Sequence, residues 1–208
     1  DNVSLVEIES FPNNNHGEIY SGRGLEFDGV TDYLDIGQTA VSTGAWTVAA
    51  WINTSGIQDG TMDHVSDGGT GNRAANYLGV RHDGATPGMM TIYDYATAGF
   101  RNANTKLNLN TWYRALWVYD GAGEATMYLN GVADGTGSIA TSGINDDLVV
   151  HYIGSRSSTS RWWNGMISDY QAWDAAFTAD DAAYDFANPE SLALNASGTA
   201  LTEGNLKL

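Results

Sequence analysis

The segment "GRGLEFDGVTDYLDIG" (residues 22–37) has two short runs of alternating apolar and polar residues on either side of an Asp28-Gly29 pair. Alternation with a period of two is typical of a half-buried β-strand, and Asp-Gly tolerates the positive φ angles of a tight hairpin turn. The segment therefore predicts an antiparallel hairpin. Asp28 and Asp32 raise a further question, which is whether these acids only shape the turn or also hold a metal ion.

The same pattern recurs along the chain, with Gly, Asn or Asp between the runs. Asn130-Gly131 and Asp120-Gly121 are further hairpin turns of this type. The further runs that predict strands are "WTVAAWIN", "DHVSDG", "NYLGVRHD", "MMTIYDYA", "TWYRALWVYDG", "ATMYLNGVADG", "LVVHYIGS" and "GMISDYQAW".

One helix signal occurs late in the sequence. Thr178 can cap "ADDAAYDFA" (residues 179–187), two acids lie in its first turn, and Pro189 follows it. Many short antiparallel strands and one short C-terminal helix predict an all-β, two-sheet antiparallel sandwich, with a closed barrel as the alternative. We expect an N-terminal extension or first strand over residues 1–19, one domain over 20–187, and a linker or the start of a further region over 188–208.

The composition excludes several classes of function. The chain has 25 acids, 9 bases and a net charge of −16, so it lacks the basic surface that nucleic acids and anionic membranes require. It has no cysteine, which excludes disulfides and zinc-thiolate sites. No apolar run is long enough to predict membrane insertion. No signal peptide is visible and the first residue is not methionine, so we expect a mature product or an excerpt of a longer chain.

Four blocks, in this order, resemble the laminin-G-like, concanavalin A-like jelly-roll family. They are "GLEFDGVTDYLDIG", "WTVAAWINT", "TWYRALWVYDGAGEATMYLNGV" and a closing segment, "YIGS" followed by "WWNGMISDYQAWDAAFTADDAAYDF". The resemblance covers about residues 20–187 and implies two packed, mostly antiparallel sheets, one of them often concave. It implies no single function, since the architecture occurs in lectins, adhesion modules, glycanases and virion proteins. The acidic composition and the tail also resemble jelly-roll modules in virion proteins of marine bacteriophages.

The resemblance also implies a structural calcium site. Asp28 and Asp32 in the entry hairpin and Asp169 in the closing strand match the positions of the acids that hold calcium in many family members. Carboxylates together with turn carbonyls provide the oxygen ligands that Ca²⁺ requires. The alternative is that Asp28 and Asp32 bond the turn backbone and Asp169 is solvated.

Aromatic residues predict a ligand surface. Adjacent strand residues point to opposite faces, so Trp162 and Trp163 in "SRSSTSRWWNG" cannot both face one core. An outward indole beside Arg161 is suited to stacking on a sugar ring, and Tyr93 and Tyr95 in "TIYDYAT" share one face of a strand. The alternative is that the outward tryptophan covers a loop or a subunit contact.

No catalytic motif is evident. Glu7 and Glu9 in "VEIES" share a face but lack the accompanying Asp of the related hydrolases, and the histidines have no ligand spacing. The sequence therefore predicts a non-catalytic carbohydrate-binding or adhesion module of an extracellular or virion-surface protein, with glycan as partner. A structural virion component that uses the jelly roll for contacts with other virion or cell-surface subunits is the alternative, and a glycanase or lyase is a second alternative.

Overall fold

The structure is a computed structural model, and it describes residues 4–7, 23–36, 44–56, 60–66, 77–81, 88–94, 99–139, 150–156, 161–189 and 191–207. These residues form thirteen strands, one α-helix and two short 3₁₀ segments. The strands are β1 (Ser4–Glu7), β2 (Arg23–Asp28), β3 (Leu34–Asp35), β4 (Trp46–Thr54), β5 (Gly60–Ser66), β6 (Tyr77–Arg81), β7 (Met89–Asp94), β8 (Gly99–Lys106), β9 (Trp112–Tyr119), β10 (Glu124–Leu129), β11 (Val132–Ser138), β12 (Val150–Ile153) and β13 (Asn164–Trp173).

The described strands form two sheets. The seven-stranded sheet has the order β1-β2-β13-β4-β9-β10-β11, and the six-stranded sheet has the order β3-β12-β5-β6-β7-β8. Neighbouring strands are antiparallel in both sheets. The predicted all-β antiparallel sandwich with one C-terminal helix is confirmed.

The main core lies between the two sheets. Residues that alternate along each strand point into it, so Leu78, Ile92 and Ile153 of the six-stranded sheet face Trp46 and Trp117 of the seven-stranded sheet. The indole N–H of Trp117 donates a hydrogen bond of 3.1 Å to the carbonyl of Thr91 on the opposite sheet. The sandwich is therefore held by apolar burial together with a specific polar contact across the interior.

A second, smaller core covers the outer face of the seven-stranded sheet. Helix α1 (Ala179–Ala187) lies on this face, and Ala182 packs there with Ala49 of β4 and Leu116 of β9. All nine residues of β4 are buried, because the other sheet covers one of its faces and the C-terminal segments cover the other. Trp51, on the face of β4 opposite Trp46, packs against Phe186 of the helix.

Helix α1 begins where the sequence predicts. The Thr178 hydroxyl accepts the amide N–H of Asp181, and the Asp181 carboxylate accepts the N–H of Thr178 at 2.9 Å. This reciprocal capping box satisfies two backbone donors at the N-terminus, where acidic side chains also favour the helix dipole.

Residues 191–207, for which the sequence predicts a linker or the start of a further region, pack on the same outer face. Ala193 and Leu201 are buried there, and Leu206 forms a bridge with Trp173 at the end of β13. None of the helices in the described part of the chain is long and apolar enough to cross a membrane.

Strand β8, "GFRNANTK", has no counterpart among the predicted strands. Its residues are mostly polar and do not alternate with apolar ones, because the strand lies at the edge of the six-stranded sheet. It also packs against β11 at the edge of the other sheet, where Asp134 accepts hydrogen bonds from the amide and hydroxyl groups of Thr105. These polar contacts replace the apolar alternation that marks the other strands.

Candidate functional site

The two outer faces of the sandwich differ in what covers them. Helix α1 and residues 191–207 bury the outer face of the seven-stranded sheet. On the six-stranded sheet, Ile92 and Ile153 point into the core, so the adjacent Tyr93 and Tyr152 lie on the outer face. Both tyrosines are partly exposed. The outer face of the six-stranded sheet therefore presents aromatic side chains to solvent.

A single row of cross-strand partners crosses all six strands of this sheet, and we call it the cross-strand row. Antiparallel pairing joins each member to the next, in the order Asp35, Tyr152, His64, Tyr77, Tyr93 and Phe100. His64 and Tyr77 are assigned to the row by their backbone register alone. Because neighbouring strands are about 4.8 Å apart, the row extends over roughly 24 Å.

Two aromatic pairs mark the two halves of this face. Tyr33 and Tyr152 meet edge to face, with ring centroids 5.2 Å apart and an interplanar angle of 88°. Tyr93 and Phe100 make a similar contact at 4.8 Å and 62°. All four rings are partly exposed. Each pair fixes the orientation of its rings, so the face offers preformed aromatic surface rather than mobile side chains.

Asp35 is the acidic end of the row. It lies opposite Tyr152 in the antiparallel register and is exposed. Burial raises the pKa of the Tyr152 phenol, and the negative charge of Asp35 raises it further. Tyr152 therefore stays protonated at neutral pH and can donate a hydrogen bond to a ligand hydroxyl, while Asp35 can accept one.

The structure separates the two tryptophans that the sequence offers as ligand contacts. Trp163 is only 1% exposed and lies in the main core, so the prediction that it contacts ligand is corrected by its burial. Trp162 and Arg161 are partly exposed. The backbone amide of Trp163 donates to the Gly154 carbonyl at 2.7 Å, which places this segment beside the end of β12, the strand that carries Tyr152.

Of the two tyrosines that the sequence predicts as ligand contacts, the structure describes one. Tyr93 is partly exposed and is a member of the cross-strand row. Tyr95 lies outside the described residues.

Asp28 organises the turn of the entry hairpin. Its Oδ1 accepts the amide N–H groups of Val30, Thr31 and Asp32 at 2.7, 2.7 and 3.0 Å, and its Oδ2 accepts the Thr31 hydroxyl at 2.9 Å. Burial raises the pKa of Asp28, but the hydrogen bonds from the backbone of Thr31, Val30 and Asp32 outweigh it and lower the pKa to about 2. The carboxylate of Asp32 in turn accepts the Asp28 amide at 3.1 Å. Hydrogen bonding to the turn, the alternative to a calcium site, is therefore sufficient to explain the presence of both Asp28 and Asp32.

Asp169 is not beside that turn. Asn164 is the residue of β13 opposite Asp28, and Asp169 lies five residues further along, a distance of roughly 16 Å in a strand. Its carboxylate instead makes an ion pair of 3.0 Å with Arg114 and accepts both hydrogen bonds from the Gln171 amide. The expectation that three acids converge is corrected for Asp169. Among the described residues, no group of three or more His, Asp or Glu side chains is arranged to hold a metal ion.

Arg114 also joins helix α1 to the sheet. Its guanidinium makes a bidentate contact with Asp185 of the helix, with Nε–Oδ2 and Nη2–Oδ1 distances of 2.6 and 2.9 Å. Both side chains are almost fully buried. This cluster lies on the helix-covered face, away from the cross-strand row, and its geometry is that of a structural ion pair.

Two residues considered for catalysis, Glu7 and His151, do not lie on the outer face of the six-stranded sheet. Glu7 is the backbone partner of Arg23 in the antiparallel register of β1 and β2, at the edge of the seven-stranded sheet, and Glu9 lies outside the described residues. His151 is buried in the interior, where its Nε2 lies 3.2 Å from the Tyr170 hydroxyl.

Sequence reasoning did not select Tyr33, Tyr152 or Phe100. The alternation in "DYLDIG" and "LVVHYIGS" could have placed the first two on an outward face, but only the register places Tyr152 in the same row as Tyr93.

Comparisons with known structures show the same fold. Domain 4 of AbnA, an extracellular arabinanase of Geobacillus stearothermophilus determined with arabinotriose, aligns with a TM-score of 0.66 and 13% identity over 90% of this chain and 82% of that chain. The CBM40 module of the Ruminococcus gnavus IT-sialidase aligns with a TM-score of 0.60 and 13% identity over 77% and 94%. At these identities the similarity establishes the fold alone.

A candidate carbohydrate-binding protein from Bacteroides ovatus aligns with a TM-score of 0.56 and 18% identity over 74% of this chain. This chain spans only 44% of the length of that protein. A search of curated protein sequences found no significant match. The family model of concanavalin A-like lectins and glucanases matches residues 28–183, which confirms the resemblance seen in the sequence. The chain belongs to the concanavalin A-like lectin/glucanases superfamily.

Proposed function

We propose that this chain is a non-catalytic glycan-binding module and that glycan binds on the outer face of the six-stranded sheet. The observation that carries the proposal is the cross-strand row, in which Tyr152 and Tyr93 are partly exposed tyrosines. Sugar rings present C–H groups to aromatic faces and hydroxyls to nearby polar groups. A site of this kind needs partly exposed, oriented rings with a few hydrogen-bonding groups, and this face supplies both.

The covering of the other face supports the same choice. Helix α1 and residues 191–207 occupy the outer face of the seven-stranded sheet and bury the aromatic residues Tyr128, Trp173 and Phe177 there. Tyr33, Tyr152, Tyr93 and Phe100, on the opposite sheet, are partly exposed.

Two of the similar structures were determined with carbohydrate. The AbnA domain was solved with arabinotriose, and the CBM40 module was also solved with α2,3-sialyllactose. These ligands belong to those proteins, and they support a binding role for a fold of this kind. The AbnA arabinanase is extracellular, and on this likeness we propose an extracellular or virion-surface location for this module.

Trp162 and Arg161 are proposed as secondary contacts. They follow β12 in the sequence and are partly exposed, and the Trp163–Gly154 backbone hydrogen bond holds the segment near the end of the strand that carries Tyr152. The partly exposed part of the indole would extend the aromatic surface, and the guanidinium would add donors for sugar hydroxyls.

A glycan array followed by isothermal titration calorimetry tests the proposal. We expect wild-type protein to bind, Tyr152→Ala and Tyr93→Ala each to weaken binding about tenfold, and Trp162→Ala to weaken it less. Tyr184→Ala is the matched control, because Tyr184 is a partly exposed tyrosine on helix α1, on the opposite side of the sandwich. Unchanged affinity in both row variants would contradict the proposal.

The same samples test the alternatives. Repeating the titrations in EDTA should leave affinity unchanged, because the Asp28 oxygens are occupied by the turn. The glycans recovered after incubation should be unaltered, and release of reducing ends or unsaturated sugars would contradict a non-catalytic role. Glycan-independent self-association that is abolished by Tyr152→Ala would instead favour a subunit-contact role for this face.

A further inference from the structure

We infer that the glycan bound by this face is an uncharged, extended oligosaccharide of at least four sugar units that lies across the strands. This inference rests on the proposed function, and it adds the length, direction and charge of the ligand. It follows from the spacing of the two aromatic pairs and from the charge of the row that joins them.

The spacing sets the length. Tyr152 and Tyr93 are members of the same cross-strand row, and β5 and β6 lie between their strands. Three strand spacings correspond to about 14 Å. A β-1,4-linked hexose chain advances by about one strand spacing per sugar. A ligand with sugars on both aromatic pairs therefore contains at least four units, while a shorter one reaches a single pair.

The register sets the direction. The row is perpendicular to the strands, and Tyr77 and His64 occupy its central positions by backbone register. A ligand along one strand would leave the row after a single aromatic pair. A ligand across the strands passes from Tyr152 on β12 to Tyr93 and Phe100 on β7 and β8, and so reaches both aromatic pairs.

The charge sets the chemical class. The row contains one acid, Asp35, and neither lysine nor arginine, and the chain carries a net charge of −16. Arg101, next to Phe100, donates to the carbonyls of Ser138 at 2.6 Å and Phe100 at 3.1 Å, which holds it in the junction of β8 with β11. Carboxylated sugars would therefore meet repulsion without a compensating cation in the row. Asp35 is instead suited to accept hydrogen bonds from neutral hydroxyls.

The first experiment is a length series measured by titration calorimetry at pH 8. The probes are xylo-, cello- and manno-oligosaccharides from disaccharide to hexasaccharide. We expect affinity to rise about tenfold when the ligand becomes long enough to reach the second pair, between the disaccharide and the tetrasaccharide. Tyr152→Ala should remove this gain and leave disaccharide affinity within about twofold of wild type, because Tyr93 and Phe100 still hold the short ligand. Tyr184→Ala should change neither value.

The second experiment isolates charge. Oligogalacturonides and their methyl esters differ only in whether each sugar carries a carboxylate. We expect the methyl esters to bind and the free acids to bind at least tenfold more weakly, with the difference shrinking in high salt. Tighter binding of the free acids, or of α2,3-sialyllactose, would overturn the assignment to uncharged glycans, and its loss in Arg161→Ala would identify Arg161 as the compensating cation.

The outcomes separate this inference from the function on which it rests. Equal affinity for disaccharide and hexasaccharide would overturn the length assignment and leave glycan binding intact. No binding of any neutral or charged probe by a protein with a normal unfolding transition would overturn both.

Discussion

Replacing Asp185 with alanine should lower the free energy of unfolding by about 3 kcal/mol, since it removes one partner of a buried ion pair. Arg114 is 1% exposed and Asp185 is 2% exposed, and two hydrogen bonds of 2.6 and 2.9 Å join them. The variant leaves the guanidinium buried without its bidentate acceptor. The Arg114–Asp185 ion pair also connects helix α1 to β9, so its loss weakens the packing of the helix on the outer face of the seven-stranded sheet.

The magnitude follows from what remains around Arg114. Breaking a buried pair costs about 3–5 kcal/mol when the remaining charge is uncompensated. Here Asp169 stays 3.0 Å from the guanidinium, but its side chain is 38% exposed and screened by solvent, so it compensates only in part. We therefore expect the lower end of the range, which for a domain of this length corresponds to a decrease in Tm of about 6–12 °C.

Urea and thermal unfolding followed by tryptophan fluorescence measure this change. Asp180→Ala, in an exposed position of the same helix, is the matched control and should change stability by less than about 1 kcal/mol. The double variant Arg114→Met/Asp185→Leu should be more stable than Asp185→Ala alone, because it removes both buried charges. Glycan affinity should be unchanged in all of these variants. A loss below about 1 kcal/mol for Asp185→Ala, or a double variant less stable than the single one, would refute this reasoning.

Three further predictions concern individual residues. Asp28→Asn should lower the free energy of unfolding at neutral pH. Because the pKa of Asp28 in the folded protein is lowered to about 2, the difference in the free energy of urea unfolding between variant and wild type should have its full size above about pH 4. It should shrink as the pH falls towards 2. Trp163→Ala should lower the free energy of unfolding by about 3–5 kcal/mol and Trp162→Ala by clearly less, since only Trp163 lies in the main core. Equal losses in the two variants would contradict this placement. Gly154→Ala should lower Tm by several degrees, because Gly154 has a φ of +87° and its added Cβ would overlap the buried Phe27 ring, and an unchanged Tm would argue against this packing.

Local signals allowed much of the fold to be predicted. The Asn130-Gly131 turn has positive φ at both residues, 50° and 78°, as that dipeptide predicts for a tight hairpin. Thr178 caps helix α1 with Asp181 as its reciprocal partner. Both features depend on residues close in sequence, so the pattern contained the information needed.

The candidate site depends on long-range register, which the sequence pattern does not contain. Tyr152 and Tyr93 join one row only because β12, β5, β6 and β7 pair with a particular alignment. A slip of one residue would turn an aromatic ring from one face to the other. The adjacent Trp162 and Trp163 show the same limit, since alternation predicts that they face opposite ways but not which of them is buried.

The most direct test is an NMR titration of labelled protein with the tightest-binding uncharged tetrasaccharide. If glycan binds on the outer face of the six-stranded sheet, the largest shifts should appear at the amides of Tyr152, Tyr93 and Phe100, with little change in helix α1. Largest shifts in helix α1 or in the Asp28 turn, with the row unaffected, would contradict the proposed site.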